Sequence, residues 1–161
     1  NKYGFDFDVD LDGRGRGVAW AVEKLMEDNL YWTVLSQRWM HEGNFDFGPS
    51  MFFEAVPEPA RADMIKATKE RIARTLSGQG TGLHSEQEKY QLAIRTIDHA
   101  AAILGENDFI MGKAPCGADG FVFAILAGAS AKGFDTPLIG AVNAHSNLVD
   151  YLARMHSRYF A

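Results

Sequence analysis

The most informative segment of this chain is Phe109-Ile-Met-Gly-Lys-Ala-Pro-Cys-Gly-Ala-Asp119, which runs directly into Gly120-Phe-Val-Phe-Ala-Ile-Leu-Ala127. A Gly-Pro turn precedes a helix that has no polar face, and a helix that is apolar all round is buried. The free N–H groups at the start of a buried helix need partners. With Cys116 as N-cap, Asp119 falls at the third helical position, where its carboxylate can accept from the N-cap N–H and complement the helix dipole. The segment therefore predicts a buried, capped helix in the core of the fold.

A long first helix is predicted from Arg16 to about Glu42, because candidate buried residues recur at spacings of three and four. These residues are Val18, Val22, Leu25, Asn29, Trp32, Ser36 and Trp39. The preceding residues 1–15 combine acids with Gly-Arg-Gly-Arg-Gly and are predicted to form an extended arm. Residues 43–59 are predicted to be a loop.

Ser85 and Glu88 mark the start of another helix, because Ser-x-x-Glu is the pattern of a full capping box. This helix is expected to end at Gly105. Further helices are expected at residues 59–76, 117–132, 138–144 and 147–159. No stretch predicts a strand, so the fold class is all-α, with about five to six helices.

The segment around Asp119 resembles the C-terminal helical domain of the glutathione S-transferase family. In that family the phrase hydrophobic, hydrophobic, Gly, x, x, Pro, Ser/Thr, x, Ala, Asp begins the central buried helix. The matching residues are Ile110, Met111, Gly112, Pro115, Cys116, Ala118 and Asp119. Cys116 departs from the usual Ser/Thr cap, and its S–H is a weak hydrogen-bond partner.

The resemblance extends over about residues 16–160. Residues 27–32 and 78–85 are similar to the bacterial branch related to metaxin and failed-axon-connection proteins, and residues 147–154 are similar to the final helices of the same domains. In the family, a thioredoxin-like domain that binds glutathione precedes the helical domain. We therefore expect residues 16–161 to be the helical domain, residues 1–15 to be the linker that leads to it, and the thioredoxin-like domain to be absent from this chain.

The resemblance implies that the first helix lines a cleft for the acceptor substrate of a glutathione transferase. At about 100° per residue, Trp20, Tyr31, Leu35 and Arg38 share one face of that helix. Amphipathic aromatic side chains and a cation suit a pocket for an apolar electrophile. An alternative is that this face packs against the missing domain or against a second subunit.

The resemblance assigns no catalytic residue to this chain, because the donor that stabilises the glutathione thiolate lies in the missing domain. The chain alone is therefore predicted to be inactive. The implied partners of the intact protein are glutathione as co-substrate, a small apolar electrophile, the thioredoxin-like domain and a second copy in a homodimer. The alternative function is a non-catalytic, metaxin-like assembly module.

Composition excludes other classes of function. The net charge of −5, with cations scattered among acids, argues against a nucleic-acid partner. The single cysteine, Cys116, excludes an internal disulfide and indicates a reducing compartment such as the cytoplasm. The longest apolar run is shorter than the roughly 20 residues that a membrane span requires.

Two patterns suggest other chemistry. Asp8, Asp10, Asp12 and Gly13 match the first half of a calcium-binding loop, but its twelfth position is Ala19 rather than a bidentate acid. The alternative to a calcium loop is a solvated acidic linker. The five histidines lack the spacing of zinc ligands. No metal site is therefore predicted.

Cys116 is the second pattern. A helix N-terminus lowers the pKa of a thiol and favours a reactive thiolate, whereas the nearby Asp119 opposes the negative charge. A structural cap and a reactive thiol therefore both remain open.

Overall fold

The computed structural model describes Gly4 and residues 6–160. Its elements are, in chain order, α1 (Gly13–Leu25), a π-helical turn (Met26–Leu30), α2 (Tyr31–Met40), α3 (Glu42–Phe47), a 3-10 helix (Pro49–Phe53), α4 (Ala60–Gln79), a 3-10 turn (Thr81–Leu83), α5 (Glu86–Leu104), α6 (Gly117–Ala129), α7 (Leu138–Asn143) and α8 (Ser146–Tyr159). The described residues form no strand, only an isolated bridge between Phe109 and Gly112. The predicted all-α class is confirmed. None of the helices in the described ranges combines the length and the apolar character that crossing a bilayer demands.

Helix α6 lies at the centre of the fold, where it packs against α1, α7 and α8. Its residues Ala118, Val122 and Leu126 are fully buried. The prediction of a helix buried on every side is nevertheless wrong, because Phe121 is 46% exposed. Neighbouring helices cover α6 on several sides, and its remaining face reaches the surface.

The first helix begins three residues earlier than predicted, at Gly13, and ends at Met40. The early start has a local cause: Asp12 is the N-cap, and its Oδ1 accepts a hydrogen bond of 2.7 Å from the N–H of Gly15. A π-helical turn interrupts the helix halfway, where the Tyr31 N–H donates to the carbonyl of Met26, five residues back. Such turns are rare and were not predicted.

Most of the buried stripe of this first helix lies one residue further along the chain than predicted. Its members are Ala19, Val22, Met26, Leu30, Thr33, Ser36 and Gln37. Only Val22 and Ser36 of the predicted stripe are fully buried, and Val18 and Asn29 are exposed. Close packing between helices favours small side chains such as Ala19 at the contact, so bulk and apolar character alone misplace the stripe.

The region predicted to be a loop, residues 43–59, is partly helical. It contains α3 and the 3-10 helix Pro49–Phe53, and aromatic contacts hold both against α2. The Trp39 ring lies 6.0 Å from that of Phe45 and 6.4 Å from that of Phe53, measured between ring centroids. Local propensity is weak over this stretch, and tertiary packing supplies the stability of these short helices.

Helices α4 and α5 are joined by the 3-10 turn Thr81–Leu83. At the start of α5 the Ser85 N–H donates to the Glu88 carboxylate over 2.8 Å, and the Glu88 N–H donates to the Ser85 hydroxyl over 3.3 Å. These two reciprocal bonds form a capping box, so two of the free N–H groups at this helix start have partners. The backbone hydrogen bond to Ser85 lowers the pKa of Glu88.

Candidate functional site

The start of α6 is built around the buried carboxylate of Asp119, which is 1% exposed. Its Oδ2 accepts a hydrogen bond of 2.8 Å from the N–H of Cys116, the N-cap. Its Oδ1 accepts from the N–H of Ile110 over 2.9 Å and from the hydroxyl of Tyr151 over 3.0 Å. Asp119 thus links the turn before α6 to helix α8, which is a long-range role that a local capping pattern does not reveal.

A second carboxylate reaches the same helix start from the N-terminal arm, whose described part precedes α1. The Gly117 N–H donates to Oδ1 of Asp8 over 2.8 Å. The arm is also fastened to α1, because Asp6 and Arg16 form an ion pair of 2.8 Å. Negative groups at a helix N-terminus are favourable, so the arm closes over α6 at a point where its charge stabilises the fold.

The contacts of Asp8 and Asp12 give these two carboxylates a structural role instead of the calcium-binding role that the sequence left open. Asp8 bonds to Gly117 and Asp12 caps α1, so both carboxylates have backbone partners in this structure. Among the described residues, no group of three or more His, Cys, Asp or Glu side chains is arranged to hold a metal ion. The acidic arm therefore has a structural explanation in which its charges serve two helix starts.

The thiol of Cys116 is buried beside Asp119. Burial, followed by the negative charge of Asp119, raises the pKa of the thiol to about 11. With this pKa the Cys116 thiol is protonated near neutral pH. The thiolate, which is the reactive form of cysteine, is therefore scarce. The site thus favours the structural cap over the reactive thiol.

Replacing Cys116 with Ser is expected to leave the fold intact or to raise the free energy of unfolding by up to about 1 kcal/mol, because serine is the better N-cap residue. Urea unfolding followed by circular dichroism measures the change. A clear loss of stability would contradict the placement of the N-cap at this residue.

The four residues predicted to line the acceptor cleft differ in their exposure and in their contacts. Trp20 and Tyr31 are 62% and 42% exposed. Each directly follows a residue of the buried stripe, so both lie on the same flank of the first helix. They are eleven residues apart in sequence, or about 16 Å along the helix axis, and Leu35 is half-buried. Trp20 and Tyr31 are therefore well separated along one side of the helix, and Leu35 lies about one turn beyond Tyr31.

Arg38 is engaged by its own domain. Its Nη2 donates to the carbonyl of Gly128 over 2.7 Å, and its guanidinium lies 4.5 Å from the centroid of the Phe134 ring. A guanidinium held by a carbonyl and an aromatic face is a well-satisfied cation. Arg38 thus connects α2 to the end of α6 in this structure.

Sequence reasoning missed a cavity of about 430 Å³ between the arm, the start of α6 and the end of α8. We refer to it as the α6 cavity. Its lining includes Phe7, Pro115, Cys116, Phe123, Met155 and Phe160. These residues come from three distant parts of the chain, so no spacing pattern in the sequence could have identified them.

Comparison with known proteins is consistent with this architecture. Residues 93–155 match the family model described as "Glutathione S-transferase, C-terminal domain". The matched range includes Cys116, Asp119 and Tyr151, and it begins after the first helix.

The chain is also similar to "Isoprene-epoxide--glutathione S-transferase" of Rhodococcus sp. (strain AD45). The two are 28% identical over 161 residues, which cover 99% of this chain and 68% of the relative. No solved structure matches the chain significantly. Residues 93–155 therefore resemble a glutathione S-transferase C-terminal domain, and the all-helical fold is consistent with such a domain.

Proposed function

We propose that this chain is the helical domain of a glutathione S-transferase-type protein, and that its first helix forms a wall of the acceptor-substrate site. One observation carries the proposal: Trp20 and Tyr31 are exposed on the same flank of the first helix, in a chain that is similar along its length to a glutathione S-transferase. Large exposed aromatic side chains suit an apolar ligand.

The proposed reaction is attack by the glutathione thiolate on a small apolar electrophile. With an epoxide, which the name of the relative suggests, a C–S bond forms, a C–O bond breaks, and the alkoxide takes up a proton. With an aryl halide, the halide leaves. The thiolate needs a nearby hydrogen-bond donor or a positive environment that favours ionisation. We propose that a preceding thioredoxin-like domain supplies this donor and binds glutathione, as in the family that the chain resembles.

In this chain the buried hydroxyl of Tyr151 is a poor candidate for that donor. It already donates to Asp119, and burial and the charge of Asp119 raise its pKa. We therefore propose that the isolated chain is inactive. We also propose that the intact protein is a homodimer and that it is located in the cytoplasm, where reduced glutathione is abundant.

The test compares this chain with the full-length protein. We expect the 161-residue chain to show no conjugation of glutathione to 1-chloro-2,4-dinitrobenzene, and the full-length protein to show it. In the full-length protein, Trp20→Ala and Tyr31→Ala should each lower kcat/KM for the electrophile about 3–10-fold, which corresponds to roughly 1 kcal/mol of lost contact. The KM for glutathione should stay the same.

Phe52→Ala is the matched control, because Phe52 is also aromatic and exposed but lies on the 3-10 helix after α3. It should leave kcat/KM unchanged. Turnover by the isolated chain, or an equal loss in the Phe52 variant, would contradict the proposed wall.

The second candidate is a non-catalytic, metaxin-like assembly module. The observation in its favour is a set of exposed apolar side chains on the 3-10 helix and just before it: Phe47, Met51 and Phe52. Exposed apolar patches often mark interaction sites. Retention of the full-length protein on immobilised glutathione favours the transferase, and its absence favours the assembly module.

A further inference from the structure

Glu23 lies beside Trp20 on the exposed flank of the first helix. It follows Trp20 by three residues, and side chains with this spacing are neighbours on a helix surface, with Cβ atoms about 5–6 Å apart. Trp20 is 62% exposed, and Glu23 is half-buried. A small molecule that packs against the Trp20 ring is therefore within reach of the Glu23 carboxyl group.

The carboxyl group of Glu23 has no ion-pair partner among the described residues. The adjacent cation, Lys24, forms an ion pair with Glu27 instead. No hydrogen bond within the described part of the chain occupies the Glu23 side chain either. Both of its carboxyl oxygens are therefore free to interact with a bound molecule.

The surroundings of Glu23 favour its protonated form. Burial, followed by the negative charge of Asp8, raises the pKa of Glu23. Lys24 acts in the opposite sense, and Glu27 acts in the same sense as Asp8. Asp8 is held in place because its Oδ1 accepts a hydrogen bond of 2.8 Å from the N–H of Gly117. A carboxyl group that keeps its proton to a higher pH can act as a general acid.

The two electrophiles considered for the acceptor site differ in their need for such an acid. When a thiolate displaces the halide of an aryl halide, the halide leaves as a stable anion and needs no proton. When a thiolate opens an epoxide, the breaking C–O bond leaves its electron pair on an oxygen that becomes a strongly basic alkoxide. A proton donor beside that oxygen lowers the barrier to ring opening. An acid next to an exposed aromatic ring therefore serves an epoxide and not an aryl halide.

We propose that Glu23 is the general acid of the acceptor site, and that the acceptor is an apolar epoxide bound against Trp20. The glutathione sulfur forms the C–S bond, the C–O bond breaks, and the Glu23 proton moves to the epoxide oxygen to give an alcohol. The Glu23 carboxylate then regains a proton from water. This inference rests on the proposed function and adds to it the class of acceptor and the residue that protonates it.

The test compares two acceptors in the full-length protein. Styrene oxide is an apolar epoxide, and 1-chloro-2,4-dinitrobenzene is an aryl halide. Glu23→Gln keeps the size of the side chain and removes its acidic proton. This substitution should lower the ratio of kcat/KM for styrene oxide to kcat/KM for the aryl halide by about 100-fold, which is within the range that general acid catalysis contributes.

Glu27→Gln is the matched control. Glu27 lies on the same helix and is also half-buried, but its carboxylate is already paired with Lys24. The control should change the ratio by less than about twofold. Both variants should keep the circular dichroism spectrum of the unmodified protein, because each replaces a carboxyl group by an amide of the same size.

A pH profile separates a proton donor from a residue that only shapes the site. Both acceptors need the same glutathione thiolate, so the ratio of their kcat/KM values reports on the acid alone. In the unmodified protein this ratio should fall as the pH rises and approach a loss of about tenfold per pH unit above the pKa of Glu23. In Glu23→Gln the ratio should not depend on pH.

The outcomes distinguish a wrong general acid from a wrong function. If the full-length protein conjugates the aryl halide but Glu23→Gln leaves the ratio unchanged, or Glu27→Gln lowers it equally, the inference is overturned and the transferase function stands. Conjugation of the aryl halide without conjugation of styrene oxide also overturns the inference. If neither acceptor is conjugated, the proposed function fails and the inference fails with it.

Discussion

Replacing Asp119 with alanine is expected to lower the free energy of unfolding by about 3–5 kcal/mol. The side chain is 1% exposed and accepts hydrogen bonds from the N–H groups of Cys116 and Ile110 and from the hydroxyl of Tyr151. Alanine would leave the two N–H groups buried without partners, and each buried unsatisfied donor costs about 1–3 kcal/mol. The start of the central helix would also lose the negative charge that complements its dipole.

Urea unfolding followed by circular dichroism measures this loss, and the thermal midpoint should fall by about 10 °C for a chain of this length. Asp150→Ala is the matched control, because Asp150 is an exposed carboxylate on α8. It should change stability by no more than about 0.5 kcal/mol. A loss below about 1 kcal/mol for Asp119→Ala would show that Asp119 does not organise the start of α6.

The stability of the fold is expected to fall as the pH rises above 9. Burial raises the pKa of Cys116 from 9.0 to about 11, so the folded chain keeps this proton in a range where the unfolded chain has released it. The contribution is fully present below pH 9 and is lost progressively up to about pH 11. The slope approaches 1.4 kcal/mol per pH unit at most, and burial of Tyr151, whose pKa is also raised, steepens the decline above its ordinary value near 10.

Urea unfolding at pH 7, 8, 9, 10 and 10.5 tests this dependence. The Cys116→Ser variant is the control, because serine does not titrate in this range, and its stability should decline less steeply between pH 9 and 10.5. Equal slopes for the two proteins would mean that the thiol is not shielded from water. They would then reopen the alternative of a reactive Cys116.

The start of α6 shows how far local sequence information reaches. A Gly-Pro turn, an N-cap and an acid three residues later specify hydrogen bonds between neighbours, and the Cys116–Asp119 bond is such a bond. The link from Asp119 to Tyr151 spans 32 residues. It depends on how α8 packs against α6, which no local pattern encodes.

The first helix shows the opposite case. Hydrophobic spacing correctly predicts a long helix but places its buried stripe one residue early, with Val18 inward instead of Ala19. Hydrophobic spacing does not distinguish neighbouring positions when large apolar side chains occupy the margin of the contact, so only Val22 and Ser36 of the predicted stripe are fully buried. The π-helical turn at Met26–Leu30 has no sequence signal that would have revealed it.

The candidate site residues also differ in whether local sequence patterns or contacts between distant segments determine them. Trp20 and Tyr31 could be selected from the sequence because residues on one flank of a helix follow its 3.6-residue repeat. The engagement of Arg38 by Gly128 and Phe134 could not be predicted, because these partners lie 90 or more residues further along the chain.

The sequence by itself determined the all-α class, the approximate extents of the principal helices and the capped start of α6, because periodicity and capping act between residues within a few positions of one another. Only the tertiary structure decided which flank of the first helix is buried, that the acidic arm crosses to α6, and that Phe7, Phe123 and Phe160 line one groove. Those features arise where distant segments meet, and close packing selects the one arrangement that fills the space and pairs the buried polar groups.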